Sequence, residues 1–312
     1  MTTLYELKAR LKQFYAKYDI YVIPAAKFLL AFVMLLCIAG KMGYQETASS
    51  FSVTLVLSLL CSVFPQGAIV LFGAIVCLLD LYELSLEVLL VAGIFFLIIA
   101  LLYLRFAPEC GYLLVLTPVC FALGIPYAIP AVAGLLYNAG SIAPVLGGTF
   151  LYYFLHGINE NASTLSSPEE NASLTSGIST ILHQLTSNRE MIVVLLVMAL
   201  MVLVIYILRR AAITHAWSLA IAVGFMVEFA ILFGMYLIMG MPDRLLGLVI
   251  GNLISVGIAF GLKFFFFHVD YKRTERVQFE DDDYYYYVKA VPKITMQVQD
   301  KQVKKINTKR RK

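Results

Sequence analysis

Charged residues are scarce in this chain. Lysine, arginine, aspartate and glutamate make up 14% of its 312 residues, whereas soluble proteins contain roughly 25%. Hydrophobic residues reach 61%, and the mean hydropathy is +0.83. Because so apolar a chain does not suit a soluble domain, we predict an all-α polytopic membrane protein.

The sequence also lacks the short motifs of several enzyme classes. It has no Gly-x-x-x-x-Gly-Lys-[Ser/Thr] loop, which excludes nucleotide hydrolysis through a P-loop. It has neither His-Glu-x-x-His nor Gly-x-Ser-x-Gly, and its four histidines do not cluster with carboxylates. We therefore expect no enzymatic reaction, no cofactor and no metal.

Cysteine is infrequent, and no Cys-x-x-Cys pair occurs. All five cysteines lie in apolar segments, so we interpret them as small hydrophobic residues rather than redox or metal-binding groups. They are Cys37, Cys61, Cys77, Cys110 and Cys120.

Long apolar stretches, by contrast, are abundant and predict about ten transmembrane or half-membrane helices. The second, third, fifth, sixth and seventh have about 15 residues each, or about 22 Å of helix, less than the ~30 Å hydrocarbon core. We expect these to be half-helices or re-entrant hairpins. The stretches are 22–41, 51–64, 66–81, 86–104, 111–125, 127–139, 142–156, 191–208, 214–239 and 245–267.

Basic residues indicate the orientation. Residues 1–20 alternate apolar and basic positions at helical spacing, which predicts an interfacial amphipathic helix on the cytoplasmic leaflet rather than a nucleic-acid-binding helix. Arg105, the Arg209-Arg210 pair and the basic tail fall on the same side, which predicts cytoplasmic N- and C-termini. Residues 157–190 then form an extracytoplasmic loop with an amphipathic helix. Two glycosylation patterns in this loop, beginning at Asn161 and Asn171, are also explained by chance.

Proline marks the points where we expect helix breaks, together with the Gly147-Gly148 pair. Irregular backbone at membrane depth must be buried in protein or line a cavity, so the segments around 118–148 are the predicted cavity wall. The prolines are Pro65, Pro118, Pro126, Pro130 and Pro144.

Two stretches of the N-terminal membrane unit, residues 21–156, resemble each other. Residues 58–79 and 116–138 each contain an apolar helix with a cysteine, a proline break and a second short helix with glycine. Three spans per unit would give the inverted repeat of many secondary transporters. Chance similarity between apolar sequences is the alternative.

Glu228 lies near the middle of an apolar span in the C-terminal membrane unit, residues 191–268. A charge there costs about 2.5–3.5 kcal/mol, so the side chain should face protein or water, be paired, or be protonated. We expect Asn252 and Ser255 as its neighbours, with Asn138 and Tyr137 as further polar residues of a substrate or proton path. A protonated glutamate that serves packing alone is the alternative.

The last span carries glycines at helical spacing, which let helices approach closely. We predict packing against the Glu228 helix, with a dimer contact as the alternative. The residues are Gly247, Gly251, Gly257 and Gly261.

The chain ends with FEDDDYYYYVKAVPK, residues 279–293, in which an acidic turn separates two strand-like stretches. We predict a cytoplasmic β-hairpin within 269–299 and a disordered basic tail at 300–312; a disordered linker is the alternative to the hairpin. Since two strands alone are marginally stable, residues 271–292 are the predicted docking site for a second copy or a soluble cytoplasmic subunit. The bilayer is the other expected partner.

Within this tail, residues 273–293 read RTERVQFEDDD followed by YYYYVKAVPK. This motif of about 20 residues resembles the tail of uncharacterised bacterial polytopic membrane proteins often labelled ABC transporter permease. The resemblance implies a bacterial cytoplasmic membrane protein. Our first functional hypothesis is a permease-like protein that moves a small solute or ion past the broken helices and Glu228. The alternative is a non-catalytic scaffold or assembly subunit of a cell-envelope complex.

Overall fold

The computed structural model describes residues 2–45, 47, 49–65, 67–162, 174–211, 213–267 and 275–290. Within these residues the chain forms eleven α-helices and one antiparallel pair of strands. The elements are α1 Thr2–Lys41, α2 Phe51–Val63, α3 Gly67–Leu84, α4 Leu86–Phe106, α5 Gly111–Ala122, α6 Ala128–Leu136, α7 Ile142–Glu160, α8 Leu174–Ser187, α9 Arg189–Arg210, α10 Ala216–Ile238, α11 Asp243–Phe266, β1 Glu275–Glu280 and β2 Tyr285–Ala290.

Seven helices are long and apolar enough to cross a membrane, namely α1, α3, α4, α7, α9, α10 and α11. Together with the shorter apolar helices, this confirms a helical membrane protein with about ten membrane helices. Two helices are longer than the predicted half-helices: α3 has 18 residues and α7 has 19. Helices α2, α5 and α6 are short, as predicted, with 13, 12 and 9 residues.

Four of the five prolines lie at helix boundaries. Pro65 separates α2 from α3, and Pro126 lies between α5 and α6. Pro130 and Pro144 occupy the first turns of α6 and α7, where a missing backbone N–H costs no helical hydrogen bond. The breaks therefore fall before these two residues, at 123–127 and 137–141.

The predicted break at Pro118 is wrong, because α5 continues through it. The proline has no N–H to donate to the Leu114 carbonyl one turn earlier, and Gly148 of α7 packs against that carbonyl. A Cβ atom at Gly148 would lie 2.8 Å from the Leu114 oxygen, so only glycine allows this approach. Gly147 and Gly148 thus permit close packing of an unbroken α7 and do not mark a break.

Basic side chains satisfy carbonyls at two of the breaks. Lys27 donates to the Phe64 carbonyl at 3.2 Å, beside Pro65. Arg209 donates to the carbonyls of Leu135 and Tyr137 at the end of α6. Carbonyls freed at membrane depth need such partners, so each of these breaks is stabilised by a cation from another helix.

The chain divides into two compact units, and the larger is Tyr21–Phe264. Its main apolar core lies among α6, α7, α9 and α10. Ile205 of α9 packs between two glycines, because a Cβ at Gly134 or Gly224 would lie 2.8 Å or 2.5 Å from its side chain. Glycine therefore brings α6 and α10 close to α9.

Helix α8 belongs to this bundle rather than resting apart on an outer surface. Ile181 is buried, and Ile178 and Leu185 pack with it against residues of α3, α4 and α7. Leu182 of the same helix is exposed instead. The serines of both glycosylation patterns, Ser163 and Ser173, lie outside the described residues.

The smaller unit consists of Met1–Ile20 and Phe265–Lys312. Helix α1 departs from helical geometry at Tyr18, with φ −120° and ψ 24°, close to the predicted end of the first segment at residue 20. The predicted hairpin is confirmed: β1 pairs with β2 and places Phe279 opposite Tyr286. Pro292 and the basic tail 300–312 lie outside the described residues, and the cytoplasmic location stays a prediction.

Candidate functional site

Glu228 is completely buried in the middle of α10. The buried face of this helix continues through Leu232 to Tyr236, at the four-residue spacing of one helical face. A carboxyl group at this position has lost its water shell, which is costly unless a partner or a proton compensates. The groups around Glu228 therefore determine whether its carboxyl group is compensated by a hydrogen-bond partner or by a proton.

Asn252 of α11 is its hydrogen-bond partner. The Asn252 Nδ2 donates to Glu228 Oε2 at 2.7 Å, so the predicted pairing is present. The second oxygen, Oε1, has no hydrogen-bond partner among the described residues. Ser255 lies on the same buried face of α11, and its hydroxyl is likewise without a partner in the described part of the chain.

Gly251 brings α11 to the turn between α5 and α6. A Cβ at Gly251 would lie 2.7 Å from the Gly124 carbonyl oxygen and 3.4 Å from the Tyr127 ring. Tyr127 is buried and lies within electrostatic range of Glu228. The break that contains Pro126 is therefore next to the buried carboxyl.

A second polar group lies farther along α10. Glu190, in the first turn of α9, accepts hydrogen bonds from Tyr153 at 3.2 Å and from Tyr236 at 3.3 Å. The helix dipole favours a carboxylate at this N-terminal position. Eight residues separate Tyr236 from Glu228, about 12 Å of helix, and Tyr127 is within electrostatic range of Tyr236, Glu190 and Glu228.

The remaining predicted path residues serve the break between α6 and α7. The Ser141 hydroxyl donates to the Asn138 carbonyl at 2.7 Å, and the Tyr137 carbonyl accepts from Arg209 at 3.1 Å. Among the described residues no hydrogen bond joins Asn138 or Tyr137 to Glu228. Their contacts support a structural role at this break.

The expected intramolecular packing through Gly247, Gly257 and Gly261 is wrong. A Cβ at any of these three positions would meet no described atom within 4 Å. Gly251 alone of the four makes a close contact, and its neighbours are the α5–α6 turn and not α10. The dimer contact remains an alternative for the other three.

Asp80 of α3 is a second completely buried carboxylate. Its Oδ1 accepts the backbone N–H of Gln45 at 3.1 Å, and its Oδ2 makes no hydrogen bond of normal geometry among the described residues. Tyr44, in the same loop, donates to Asn159 at 2.8 Å. Burial raises the pKa of the Tyr44 hydroxyl from its ordinary value of 10.0, and the charge of Asp80 adds to the rise.

The structure contains an apolar cavity of about 460 Å³ lined by α1, α3, α4, α5 and α7. Pro118 lines it, in agreement with the predicted cavity wall, but Glu228 and the other predicted path residues do not. No group of three or more histidine, cysteine, aspartate or glutamate residues in the described ranges is arranged to hold a metal ion.

No family model, curated protein or solved structure matches this chain. The geometry of the described residues is therefore the basis for a functional argument.

The sequence did not single out Tyr127, Tyr153, Tyr236 or Glu190 as site residues. Tyrosine near a helix end is typical of membrane interfaces. These residue types therefore gave no indication that the four side chains lie close together. Their spacing along α10 was visible, because Glu228 and Tyr236 stand eight residues apart on one face. The identity of the partner helices required the fold.

Proposed function

We propose that this chain is a permease-like membrane protein that moves a proton or another small ion, alone or with a small solute, through a site at Glu228. The observation that carries the proposal is the geometry of this buried carboxyl group. One of its oxygens is held by Asn252 at 2.7 Å, and the other has no partner in the described residues.

The physical argument concerns the unpartnered oxygen. In a region of low dielectric constant, an ionised carboxylate with one hydrogen bond is strongly destabilised. A bound proton or a small cation at Oε1 would remove that cost, and releasing it would restore the cost. A site that gains and loses a positive charge in this way is what ion-coupled transport needs.

The tyrosine and glutamate groups along α10 support a route to this site. Tyr127 lies within electrostatic range of both Glu228 and Glu190, and Glu190 is bound by Tyr153 and Tyr236. We infer that an ion enters near Glu190 and reaches Glu228 past Tyr127. The resemblance of the tail to proteins labelled as permeases agrees with this proposal, which includes a bacterial cytoplasmic membrane and cytoplasmic termini but no enzymatic reaction.

Proton flux into proteoliposomes tests the proposal. The full chain is reconstituted with a pH-sensitive dye inside, and an imposed membrane potential drives protons inward. We expect flux above that of protein-free vesicles, and we expect Glu228→Gln to reduce it at least tenfold because the amide cannot take up a proton. Tyr127→Phe should lower the rate by a smaller factor.

The matched control is Glu83→Gln, which makes the same chemical change at an exposed position at the end of α3. Its flux should equal that of the unmodified protein. The same measurement with sodium or potassium gradients covers the case of another small cation. If the unmodified protein and Glu228→Gln give equal flux in every gradient, Glu228 does not carry transport.

The exposed hairpin favours a second candidate, a non-catalytic scaffold of an envelope complex. Phe279 is 50% exposed and Tyr287 is 79% exposed, although both are aromatic residues of paired strands. Such a surface is suited to strand addition by a partner. Deleting residues 271–312 should then release a co-purifying soluble subunit. Retention of that subunit would contradict a docking role for the tail.

A further inference from the structure

The apolar cavity is separate from the site at Glu228. It extends along α3 from Gly67 to Leu78, eleven residues or about 16 Å of helix. Its volume of about 460 Å³ is within the range of ligand-binding pockets, roughly 300–1,000 Å³. Met34, Leu114 and Leu151 are among its lining residues, so the middle of the cavity is apolar on several sides.

An apolar cavity of this kind favours a hydrocarbon occupant. Water is unfavourable because an apolar wall offers it few hydrogen bonds. Leaving the space empty forfeits the dispersion contacts of every lining atom. A flexible alkyl chain satisfies those contacts and needs no polar partner in the middle of the cavity.

The mouth of the cavity indicates where such a chain comes from. Leu71 and Ile75 of α3 and Leu104 of α4 line the cavity and are also 58%, 44% and 61% exposed. These positions lie within spans long enough to cross a membrane, where exposed apolar side chains face lipid. Acyl chains of the bilayer are therefore the groups present at the opening.

Polar side chains are concentrated at one end. Lys41, His156 and Asn159 line the cavity at the C-terminal ends of α1 and α7. His156 is 3.3 Å from Glu160, whereas no carboxylate of the described residues lies within ion-pair distance of Lys41. Lys41 is thus available to an anionic group, and Asn159, which also lines the cavity, is a further hydrogen-bonding residue.

We propose that this cavity binds one acyl chain of a membrane phospholipid whose anionic head group interacts with Lys41. The lipid lies with its chain between α3 and α5 and its phosphate at the end of α1. In a bilayer, burial of the chain alone gives little selectivity, because lipid is as apolar as the cavity wall. The head group therefore provides the preference, and the cavity provides the position.

Native mass spectrometry of the full-length protein tests this proposal. Delipidated protein in mild detergent is titrated with phosphatidylglycerol, with phosphatidylcholine of identical chains, or with the free fatty acid. We expect one phosphatidylglycerol to bind in preference to phosphatidylcholine. Lys41→Gln should weaken phosphatidylglycerol binding about fivefold, which corresponds to about 1 kcal/mol for one basic residue near an anionic surface, and should leave phosphatidylcholine binding unchanged.

Ala100→Phe tests the cavity itself, because Ala100 lines it and a phenylalanine ring would occupy the space of the chain. Binding of both phospholipids should fall at least tenfold. Leu97→Phe is the matched control: it adds a ring one turn away on α4, at an exposed position outside the cavity lining. Arg105→Gln controls for the loss of one basic residue. Both controls should bind lipid as the unmodified protein does.

Three results would overturn the proposal. The first is undiminished lipid binding by Ala100→Phe with unchanged helicity and elution volume; Ala74→Phe, also in the lining, replaces it if that variant does not fold. The second is an equal effect of Lys41→Gln and Arg105→Gln. The third is tighter binding of the free fatty acid than of phosphatidylglycerol, which would make a free amphiphile the ligand. Because Glu228 is not in the lining, none of these results depends on ion transport.

Discussion

The two halves of the Tyr21–Phe264 unit differ in the hydrogen-bond partners of their polar groups and in how closely their helices pack. In the α6–α11 half, Glu228 is bonded to the amide of Asn252, Arg209 bonds two carbonyls at one break, and the helices meet closely around Ile205. In the α1–α5 half, Asp80 accepts a backbone N–H, and Lys27 bonds one carbonyl. The helices there surround a cavity with α7.

This difference separates two kinds of site. A carboxyl group held by a side chain on a neighbouring helix has a fixed position, which suits specific ion binding. A loosely filled apolar space adapts to a flexible chain. Substitutions of equivalent groups in the two halves test whether the α6–α11 half is the more tightly constrained.

Asn252→Leu should have the largest effect on stability. It leaves Glu228 with no hydrogen-bond partner among the described residues, and an unsatisfied buried group costs about 1–3 kcal/mol, more if it is charged. We expect a loss of about 3 kcal/mol, measured as a lower midpoint of unfolding in detergent. The double variant Glu228→Leu with Asn252→Leu should recover most of it, since replacing both partners by apolar groups is close to neutral. A double variant as unstable as Asn252→Leu would contradict this account.

Arg209→Met should have the next largest effect, with Lys27→Met as its counterpart in the other half. Arg209 bonds the carbonyls of Leu135 and Tyr137, whereas Lys27 bonds that of Phe64 alone. At about 1 kcal/mol for each hydrogen bond, we expect losses of about 2 and about 1 kcal/mol in the same unfolding measurement. Equal losses would remove the distinction between the two breaks.

The sequence predicted the helical class, the short α2, α5 and α6, and the hairpin because these depend on local composition and periodicity. It also predicted the pairing of Glu228 with Asn252, since the two spans are joined by a short turn. Contacts between distant segments were not predictable in this way. Gly251 packs on the α5–α6 turn, more than a hundred residues earlier, and no local pattern in the sequence indicates that neighbour.

Pro118 and Lys27 show a related limit. A proline within an apolar stretch predicts a break, but α5 continues through Pro118, and Gly148 of another helix packs on the freed carbonyl. A lysine near the end of a span predicts an interfacial side chain, but a free carbonyl at Phe64 offers Lys27 a closer partner. In both residues a tertiary contact overrides the local preference.

Asp80→Ala should have a smaller effect than Asn252→Leu, although both carboxylates are completely buried. The change removes the acceptor of the Gln45 N–H but also removes a costly buried charge. We expect a net loss of about 1 kcal/mol in the midpoint of unfolding. Asp80→Asn retains the acceptor oxygen and removes the charge, so its midpoint of unfolding should be at or above that of the unmodified protein. A loss from Asp80→Ala as large as that from Asn252→Leu would show that the two carboxylates are equally constrained.

Tyr44→Phe should have the smallest effect and tests the loop beside Asp80. It removes the hydrogen bond to Asn159 at a half-buried position, for which we expect a loss of about 0.5 kcal/mol. The raised pKa of Tyr44 keeps the hydroxyl protonated and able to donate well above neutral pH. Its contribution to stability is therefore constant from about pH 6 to about pH 9 and declines only when the pH rises through the folded-state pKa, above about 10. Unfolding midpoints of Tyr44→Phe and the unmodified protein across this pH range measure the difference; a difference that disappears below about pH 9 would show that the hydroxyl is not the donor.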